Sequence, residues 1–562
     1  MEKDTLSLNK AKKNLLFLRL FLLTLVLLLP GFSSKTESYA VATRHHLATD
    51  IGIEVLNNGG NAIDAGVAVA FALAVVNPSA GNLGGGGFML IYNASEDELI
   101  TIDYREKAPL KAYEKMYQDN NGNVIEGLST NSILASGVPG TVAGLFYALE
   151  NYGTWDIKPL VQPSIELAKK GFFLSSFQSK NLNRYKDKFI KNEDSKRIFT
   201  KPNGFKENDL LIQKDLARTL EKISANGIKE FYTGETSKKI INFFREEGGL
   251  LSKKDFENYK IRKLNPICGN YRSYKICSMP PPSSGGIALI QMLNILENVD
   301  LKKLKHNSIE YLNFLISAMN YAFHDRSIYL GDPAFFDIPV SKLTSKEYAK
   351  EIYEKIKQNI MPEDSSFLFN ESDETTHFSI IDKWGNIVSN TYTLNTAYGS
   401  GIIPKGTGIL MNNEMDDFSS KPGYPNTYGL IGSEANKIEP MKTPLSSMSP
   451  VIVFKNESPI LITGSPGGST IITTVLQEIL NIIDFQMNLD ESSKKSRIHF
   501  QHKPDILFHE NFDNYFLSDL KRTRKLINRK LGETHSILLK ENNIQAFSDE
   551  RRPDGKASAI QK

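Results

Sequence analysis

Residues 378–382 and 387–393 read as two strand-like runs, and Lys383-Trp384-Gly385-Asn386 between them is a turn. At the open end of this hairpin stands Glu374-Thr375-Thr376-His377. Ahead of it, residues 362–374 are polar and acidic, the composition of an exposed, cleavable linker. A Thr hydroxyl is a weak nucleophile at neutral pH and needs a base within hydrogen-bond reach. An N-terminal Thr carries that base itself, because a free α-amine titrates near ~8 in model peptides. Cleavage of the Glu374–Thr375 bond would thus turn a strand-opening residue into a nucleophile with its own base. On this stretch alone the stronger reading is a pair of ordinary β-branched residues at a strand start, so the case rests on the rest of the chain.

The 562 residues are 40% apolar and 23% charged, with a formal net charge of +3. That is ample core material for a globular protein, and too little charge to argue for a nucleic-acid partner. The basic run Lys521-Arg522-Thr523-Arg524-Lys525 reads as a solvated helix face. The start of the chain differs. Lys10, Lys12 and Lys13 precede a leucine-rich run over residues 15–29, broken only by Arg19 and Thr24, and Pro30-Gly31-Phe32-Ser33-Ser34 follows. The run is shorter than the about 20 apolar residues a bilayer span needs. Residues 1–39 are therefore expected to be an export signal, with an uncleaved anchor as the alternative, and the protein to be periplasmic or extracellular. Ser38-Tyr39-Ala40 is a weak candidate for the cleavage motif. The two cysteines, Cys268 and Cys277, suit either a disulfide across a hairpin or two buried thiols. The nine His do not cluster; His45-His46 and His499/His502 come nearest and read as structural, so no metal is expected.

Further along, Ala48, Ile51, Val55 and Leu56 recur at helix spacing until Asn57-Asn58-Gly59-Gly60-Asn61 stops the helix, and residues 62–75 are apolar enough for a helix buried on most sides. Gly81-Asn82-Leu83-Gly84-Gly85-Gly86-Gly87 leads into a strand, 88–92, not a helix. It therefore suits close backbone packing or the wall of a site better than a phosphate loop. The strand 99–104 ends at Arg105. An Arg just past a strand end can grip a carboxylate with both arms of its fork, or simply pair with Glu106 at the surface. Residues 140–260 read as mostly helical. Met279-Pro280-Pro281-Pro282-Ser283-Ser284-Gly285-Gly286 is a stiff turn into a helix at 287–296, with further helices at 309–322 and 345–358.

After Thr375 the chain becomes strand-rich. Thr391, Thr393 and Asn395 share one face by alternation and either meet solvent or line a polar site. Met411-Asn412-Asn413-Glu414-Met415-Asp416-Asp417-Phe418 groups three carboxylates that could hold a cation or an ammonium, or face water as a turn. The spacing is not that of a Ca²⁺ loop. Ser446 and Ser447 supply paired hydroxyls before a strand at 451–454. A strand at 460–463 then runs through Gly464-Ser465-Pro466-Gly467-Gly468-Ser469-Thr470 into a helix at 471–483, whose first N–H groups suit an anion or oxyanion. Thr463 stands where a nucleophile elbow needs Gly, which makes Ser465 a poor serine-hydrolase nucleophile.

Taken together, these motifs resemble the γ-glutamyltranspeptidase (glutathione hydrolase) family, from about Tyr39 to near the C-terminus. The match rests on Asn82 to Phe88, Asp103-Tyr104-Arg105-Glu106, Pro280 to Gly286, Thr375-Thr376-His377, Leu410 to Phe418, Leu445 to Pro450 and Gly464 to Gly468, all in the family's order. The resemblance implies an α/β fold, the four-layer αββα sandwich of N-terminal-nucleophile hydrolases. It implies one precursor that cuts itself between Glu374 and Thr375 into a large subunit (40–374) and a small catalytic subunit (375–562), a heterodimer sharing one core. Thr375 would attack the γ-glutamyl amide and Thr393 would orient it. Arg105, Ser446 and Ser447 would hold the substrate α-carboxylate, and Asn395, Glu414 and Asp417 the α-ammonium. Gly467 and Gly468 N–H groups would form the oxyanion hole, and residues 422–433 with Tyr428 a lid. Glutathione and other γ-glutamyl compounds would be the donors, with water, amino acids or dipeptides as acceptors, and no cofactor would be needed. A ligand with one carboxylate and one ammonium on the same carbon needs both signs of charge at once, which Arg105 and the Glu414/Asp417 pair supply. Two rivals are an acylase of the same fold acting on glutaryl side chains, which carry no ammonium, and an uncut, catalytically silent binding protein.

Overall fold

The computed structural model describes residues 38–362, 375–512, 525–540 and 543–561. Residues 1–37, Glu374 with the acidic stretch before it, and Lys521 to Arg524 lie outside the described residues, so the export, cleavage-site and basic-run expectations are not touched there. One antiparallel sheet of seven strands runs Lys556–Gln561, Ser38–Thr43, Thr376–Ile381, Ile387–Thr393, Gly86–Asn93, Glu98–Asp103, Arg262–Leu264. A second, of six, runs Asn543–Ser548, His535–Lys540, Ser458–Thr463, Val451–Lys455, Tyr274–Ser278, Ile267–Tyr271.

Alternation along the strands sorts side chains into layers. Ala40, Ala42, Phe88, Leu90, Ile452, Phe454 and Ile462 meet between the two sheets. Val41, Met89 and Ile91 point the other way, into the helices that cover the first sheet. Val451, Val453 and Leu461 point into those that cover the second. The result is the four-layer αββα sandwich. The helix Ala62–Val76 has every residue buried, which is why its sequence carries no polar face. A capping box of Asn61 and Asp64 starts it. Asp382 ties this helix to the hairpin: its carboxylate accepts the N–H of Ala62 and, on the other oxygen, those of Trp384 and Asn386, each at 2.9 Å.

Three local findings bear on the sequence reading. The chain already enters the sheet at Ser38, and Tyr39 is buried with its hydroxyl donating to Asn57. The weak cleavage candidate Ser38-Tyr39-Ala40 therefore lies inside a strand whose Ala40 registers with Ile381 and Ala559. A cut there would remove half of that strand. Cys268 and Cys277 form a disulfide across the hairpin of Ile267–Tyr271 and Tyr274–Ser278, which settles the choice the sequence left open. The helix expected over 309–322 continues to Tyr329, because Asp325 and Arg326, polar in sequence, find buried partners rather than solvent.

The glycine run packs backbone on backbone, as its entry into a strand suggested. A Cβ on Gly84 would stand 2.2 Å from the Leu410 carbonyl oxygen, and one on Gly85 would stand 2.1 Å from that of Thr393. Among the described residues no helix is long and apolar enough to cross a membrane.

Candidate active site

Thr375 sits at the mouth of the first sheet, one residue before the strand Thr376–Ile381, and is 3% exposed. In the antiparallel register Thr376 faces Tyr392, which brings Thr375 beside Thr393 at the neighbouring strand's end. The Thr375 hydroxyl lies 3.4 Å from the Thr393 hydroxyl. Thr393 is itself fixed: its Oγ1 accepts the Asn395 N–H at 2.9 Å and its carbonyl accepts from the Asn82 side chain at 2.9 Å. Asn82 thus explains what the first motif contributes. The Thr375 carbonyl accepts a hydrogen bond from Arg44 at 2.7 Å, and Arg44 is paired with buried Glu533 at 2.9 Å.

Thr391, Thr393 and Asn395 are all buried, so the solvent-facing alternative is excluded. Only the last two serve the pocket. Thr391 is bound to the ring of His377 at 2.8 Å, and Ser379 meets the other ring nitrogen at 3.1 Å. Burial holds His377 well below the usual imidazole range, hence neutral.

Arg105 is not at the surface: it is 1% exposed and 3.8 Å from Glu106. Its fork is spent on two carboxylates, Nη1 to Glu414 and Nη2 to Asp417, both at 2.5 Å. Its remaining donors reach the carbonyls of Pro444 at 3.3 Å and Leu445 at 3.2 Å. The acidic turn Glu414–Asp417 is accordingly neither solvated nor a metal loop. Two of its acids wrap a guanidinium, and Asp416 turns away to the Ser129 hydroxyl at 2.6 Å and the Thr427 N–H at 3.0 Å. Burial pushes Glu106 up to about 7, with Arg105 opposing the shift, and burial lifts Asp416 to about 6.

The other walls are loops. Gly467 and Gly468 take φ of +127° and +56°, and their carbonyls accept the first N–H groups of the helix Thr470–Ile483 at 3.0 and 3.3 Å. A Cβ on Gly468 would stand 2.5 Å from the Tyr428 ring, so glycine lets that ring close over the site. The Tyr428 hydroxyl donates to the Asn395 carbonyl at 2.7 Å, and Asn426 in the same loop donates to Asp417 at 3.1 Å. Thr375, Thr393, Asn395, Arg105, Glu414, Asp417, Ser446, Ser447, Tyr428 and Gly468 line one pocket enclosing about 270 Å³ of space. Gly467 adjoins that lining without being part of it, and Glu374 is outside the described residues.

Arg44 was not singled out from the sequence, although the signal that found Arg105 was there: it is an Arg one residue past a strand, Ser38–Thr43. That strand shows no polar–apolar alternation, so nothing local marks the Arg at its end.

Arranged this way, the site offers a hydroxyl at a strand start, N–H groups at a helix start and a pocket carrying charges of both signs. That is equipment for acyl transfer from a small zwitterion. The sequence model of the family described as Gamma-glutamyltranspeptidase matches residues 48–559. The glutathione hydrolase proenzyme of Escherichia coli is 46% identical over 531 residues, 92% of this chain and 91% of that one. The crystal structure of Helicobacter pylori γ-glutamyltranspeptidase aligns with a TM-score of 0.55 at 45% identity, covering 57% of this chain and 94% of that chain. That of a cephalosporin acylase from Bacillus halodurans aligns over 93% of this chain and 96% of its own, with a TM-score of 0.80 and 24% identity, a likeness of fold.

Proposed function

The chain belongs to the γ-glutamyltranspeptidase family, and from that premise we propose that it is a glutathione hydrolase and γ-glutamyltransferase working through an acyl-enzyme on Thr375. The precursor cuts itself before Thr375, and the released α-amine becomes the base for the Thr375 hydroxyl. That hydroxyl attacks the γ-glutamyl carbonyl, and the amine takes its proton. The oxyanion develops toward the Gly467 and Gly468 loop at the helix start. The proton then passes to the departing amine, cysteinylglycine when the donor is glutathione, which leaves a γ-glutamyl ester on Thr375. Water, or the amine of an acceptor amino acid or dipeptide, clears the ester. Thr393, beside the attacking oxygen, orients it.

The observation that carries this reading is the shared pocket of Thr375 with Arg105, Glu414 and Asp417. A glutaryl group brings only a negative charge; a γ-glutamyl head brings an ammonium as well, which the carboxylates can accept on lone pairs they do not spend on Arg105, such as those of the unpartnered Glu414 Oε2. The fold does not separate these alternatives, because acylases share it; the charges of the pocket do. The basic and leucine-rich start of the sequence supports reading it as an exported enzyme, periplasmic or extracellular.

N-terminal sequencing of the smaller fragment from purified protein tests the chemistry: it should begin Thr375-Thr376-His377. Thr375→Ala should leave a single uncut, inactive chain; fragments or activity in that variant would refute the assignment. Asp417→Ala should reduce turnover of a γ-glutamyl anilide by about tenfold or more relative to a glutaryl anilide, as expected for one lost charged hydrogen bond. Equal losses on the two substrates would mean that no ammonium is read there.

A further inference from the structure

Arg326 is a guanidinium inside the protein that no carboxylate among the described residues pairs with. It lies near the end of the helix Ile309–Tyr329 and is 5% exposed. Elsewhere in the fold the rule is the opposite: Arg44 has Glu533, Arg105 has Glu414 and Asp417, and Arg497 has Asp549. The adjacent Asp325 does not serve it, being held by Gln291 at 2.6 Å and Tyr348 at 2.9 Å. Arg326 instead makes two bonds to hydroxyls: Nε donates to Ser284 at 3.0 Å, and Nη2 reaches Ser447 at 3.5 Å. Ser284 passes the polarity on, its hydroxyl donating to the Ser446 carbonyl at 2.6 Å. The Pro-Pro-Pro-Ser-Ser-Gly-Gly turn, which the sequence left without a task, is thereby stitched to the Ser446-Ser447 loop.

Ser447 lines the pocket that Thr375 opens into. A hydroxyl has one proton to give and two lone pairs to receive with. Where Arg326 donates to Ser447 Oγ, the Ser447 proton is left to point elsewhere, and the pocket is the side available to it. Arg105, the cation that sequence alone assigned to the anionic end of the ligand, has its fork engaged with two carboxylates. Burial draws Arg326 down to about 10, with the Asp417 charge opposing the shift and the Arg105 charge adding to it, which leaves it cationic at neutral pH. A buried cation of this kind is costly unless an anion completes it.

We propose that Arg326 is a positioning residue for the substrate α-carboxylate, acting through Ser447: it turns the Ser447 proton toward the pocket and adds the positive field that the engaged Arg105 fork does not supply. The proposal rests on the γ-glutamyl reading and narrows it, since it makes a free α-carboxylate a condition of good turnover. Ser284 and the turn that carries it hold the guanidinium in register.

The test uses the full chain and two anilides, L-γ-glutamyl anilide and its α-carboxamide counterpart, with maturation checked by the two fragments on a denaturing gel. Arg326→Met should lower the preference for the acid over the amide by about tenfold or more, mainly through KM. Arg326→Lys should recover most of that preference. A loss of equal size on both substrates, or one confined to kcat, would overturn the proposal by making Arg326 a structural prop. Ser447→Ala should cost the same preference, and adding Arg326→Met to it should cost little more. If Arg326→Met does not mature, Ser447→Ala alone decides, equal effects on both substrates again counting against the proposal. Failure of the unaltered enzyme on both anilides would remove the γ-glutamyl reading itself. Activity on the acid with the preference intact in Arg326→Met would remove only the role of Arg326.

Discussion

Thr375 has to satisfy two demands that no single residue type meets: its hydroxyl must face a ligand while its main chain stays fixed through a change of covalent state. The main-chain half falls to Arg44, whose guanidinium bonds the Thr375 carbonyl and is held by Glu533. Burial by itself would raise the Glu533 pKa, but Arg44, Arg552 and His535 outweigh it and hold the group at about 2, below its ordinary 4.5. A depressed folded pKa means that the stabilisation is present above pH 4.5 and is lost as the pH falls through about 2. Glu533→Gln should therefore destabilise the protein at pH 7 by about 3–5 kcal/mol, the scale for breaking a buried ion pair from one side. The gap to the unaltered protein should begin to narrow as the pH drops below 4.5. Denaturant melts at steps from neutral to acid pH check this, and a gap that stays constant with pH contradicts it. At this scale the sequence was legible where one residue carried a recognisable chemistry, as Arg105, Thr375 and the Glu414/Asp417 pair did. It was silent where the chemistry lay in a pairing across the fold, as with Arg44 and Glu533, which are nearly the length of the chain apart.

Elements were readable in proportion to their periodicity. Residues 140–260, expected to be mostly helical, hold among others the helices Lys214–Asn226 and Glu235–Glu246, each with a clear apolar face. The strand Ser38–Thr43 went unread because it is central and covered on both faces, so its sequence shows no alternation of polar and apolar residues. The hairpin of Ile267–Tyr271 and Tyr274–Ser278 gives a prediction that belongs to an element. Its disulfide closes a loop of sequence separation 9, for which chain entropy gives at most about 3 kcal/mol. Its hairpin already brings the two cysteines opposite each other. Replacing both by Ser should thus lower stability by no more than that and leave kcat and KM for a γ-glutamyl anilide unchanged, measured by melts and steady-state kinetics. A large loss of activity would tie this edge of the second sheet to the site, a coupling the geometry does not contain.

Across the whole molecule, the two fragments expected from cleavage before Thr375 are woven together rather than docked. Strand pairings join them in both sheets: Ser38–Thr43 lies between Lys556–Gln561 and Thr376–Ile381, Gly86–Asn93 pairs with Ile387–Thr393, and Tyr274–Ser278 pairs with Val451–Lys455. After cleavage the fragments should still elute as one species in native size-exclusion chromatography and separate only in denaturant. Separate elution under native conditions would count against the shared core. The sequence by itself determined where most helices and strands lie, because burial periodicity and glycine placement are local properties of the chain; the four layers and the candidate nucleophile Thr375 followed only from its motifs taken together, as a family resemblance. Only the tertiary structure decided that Arg105 and its acids are bound to one another, that Thr391 serves His377 and not the pocket, that Arg44 reaches the Thr375 carbonyl and that Arg326 reaches the Ser284 and Ser447 hydroxyls. Apart from the Thr391–His377 contact within one hairpin, each of those facts is a distance between residues far apart in sequence. Such distances are set by how two sheets and their helices close around a common interior, which no local pattern records.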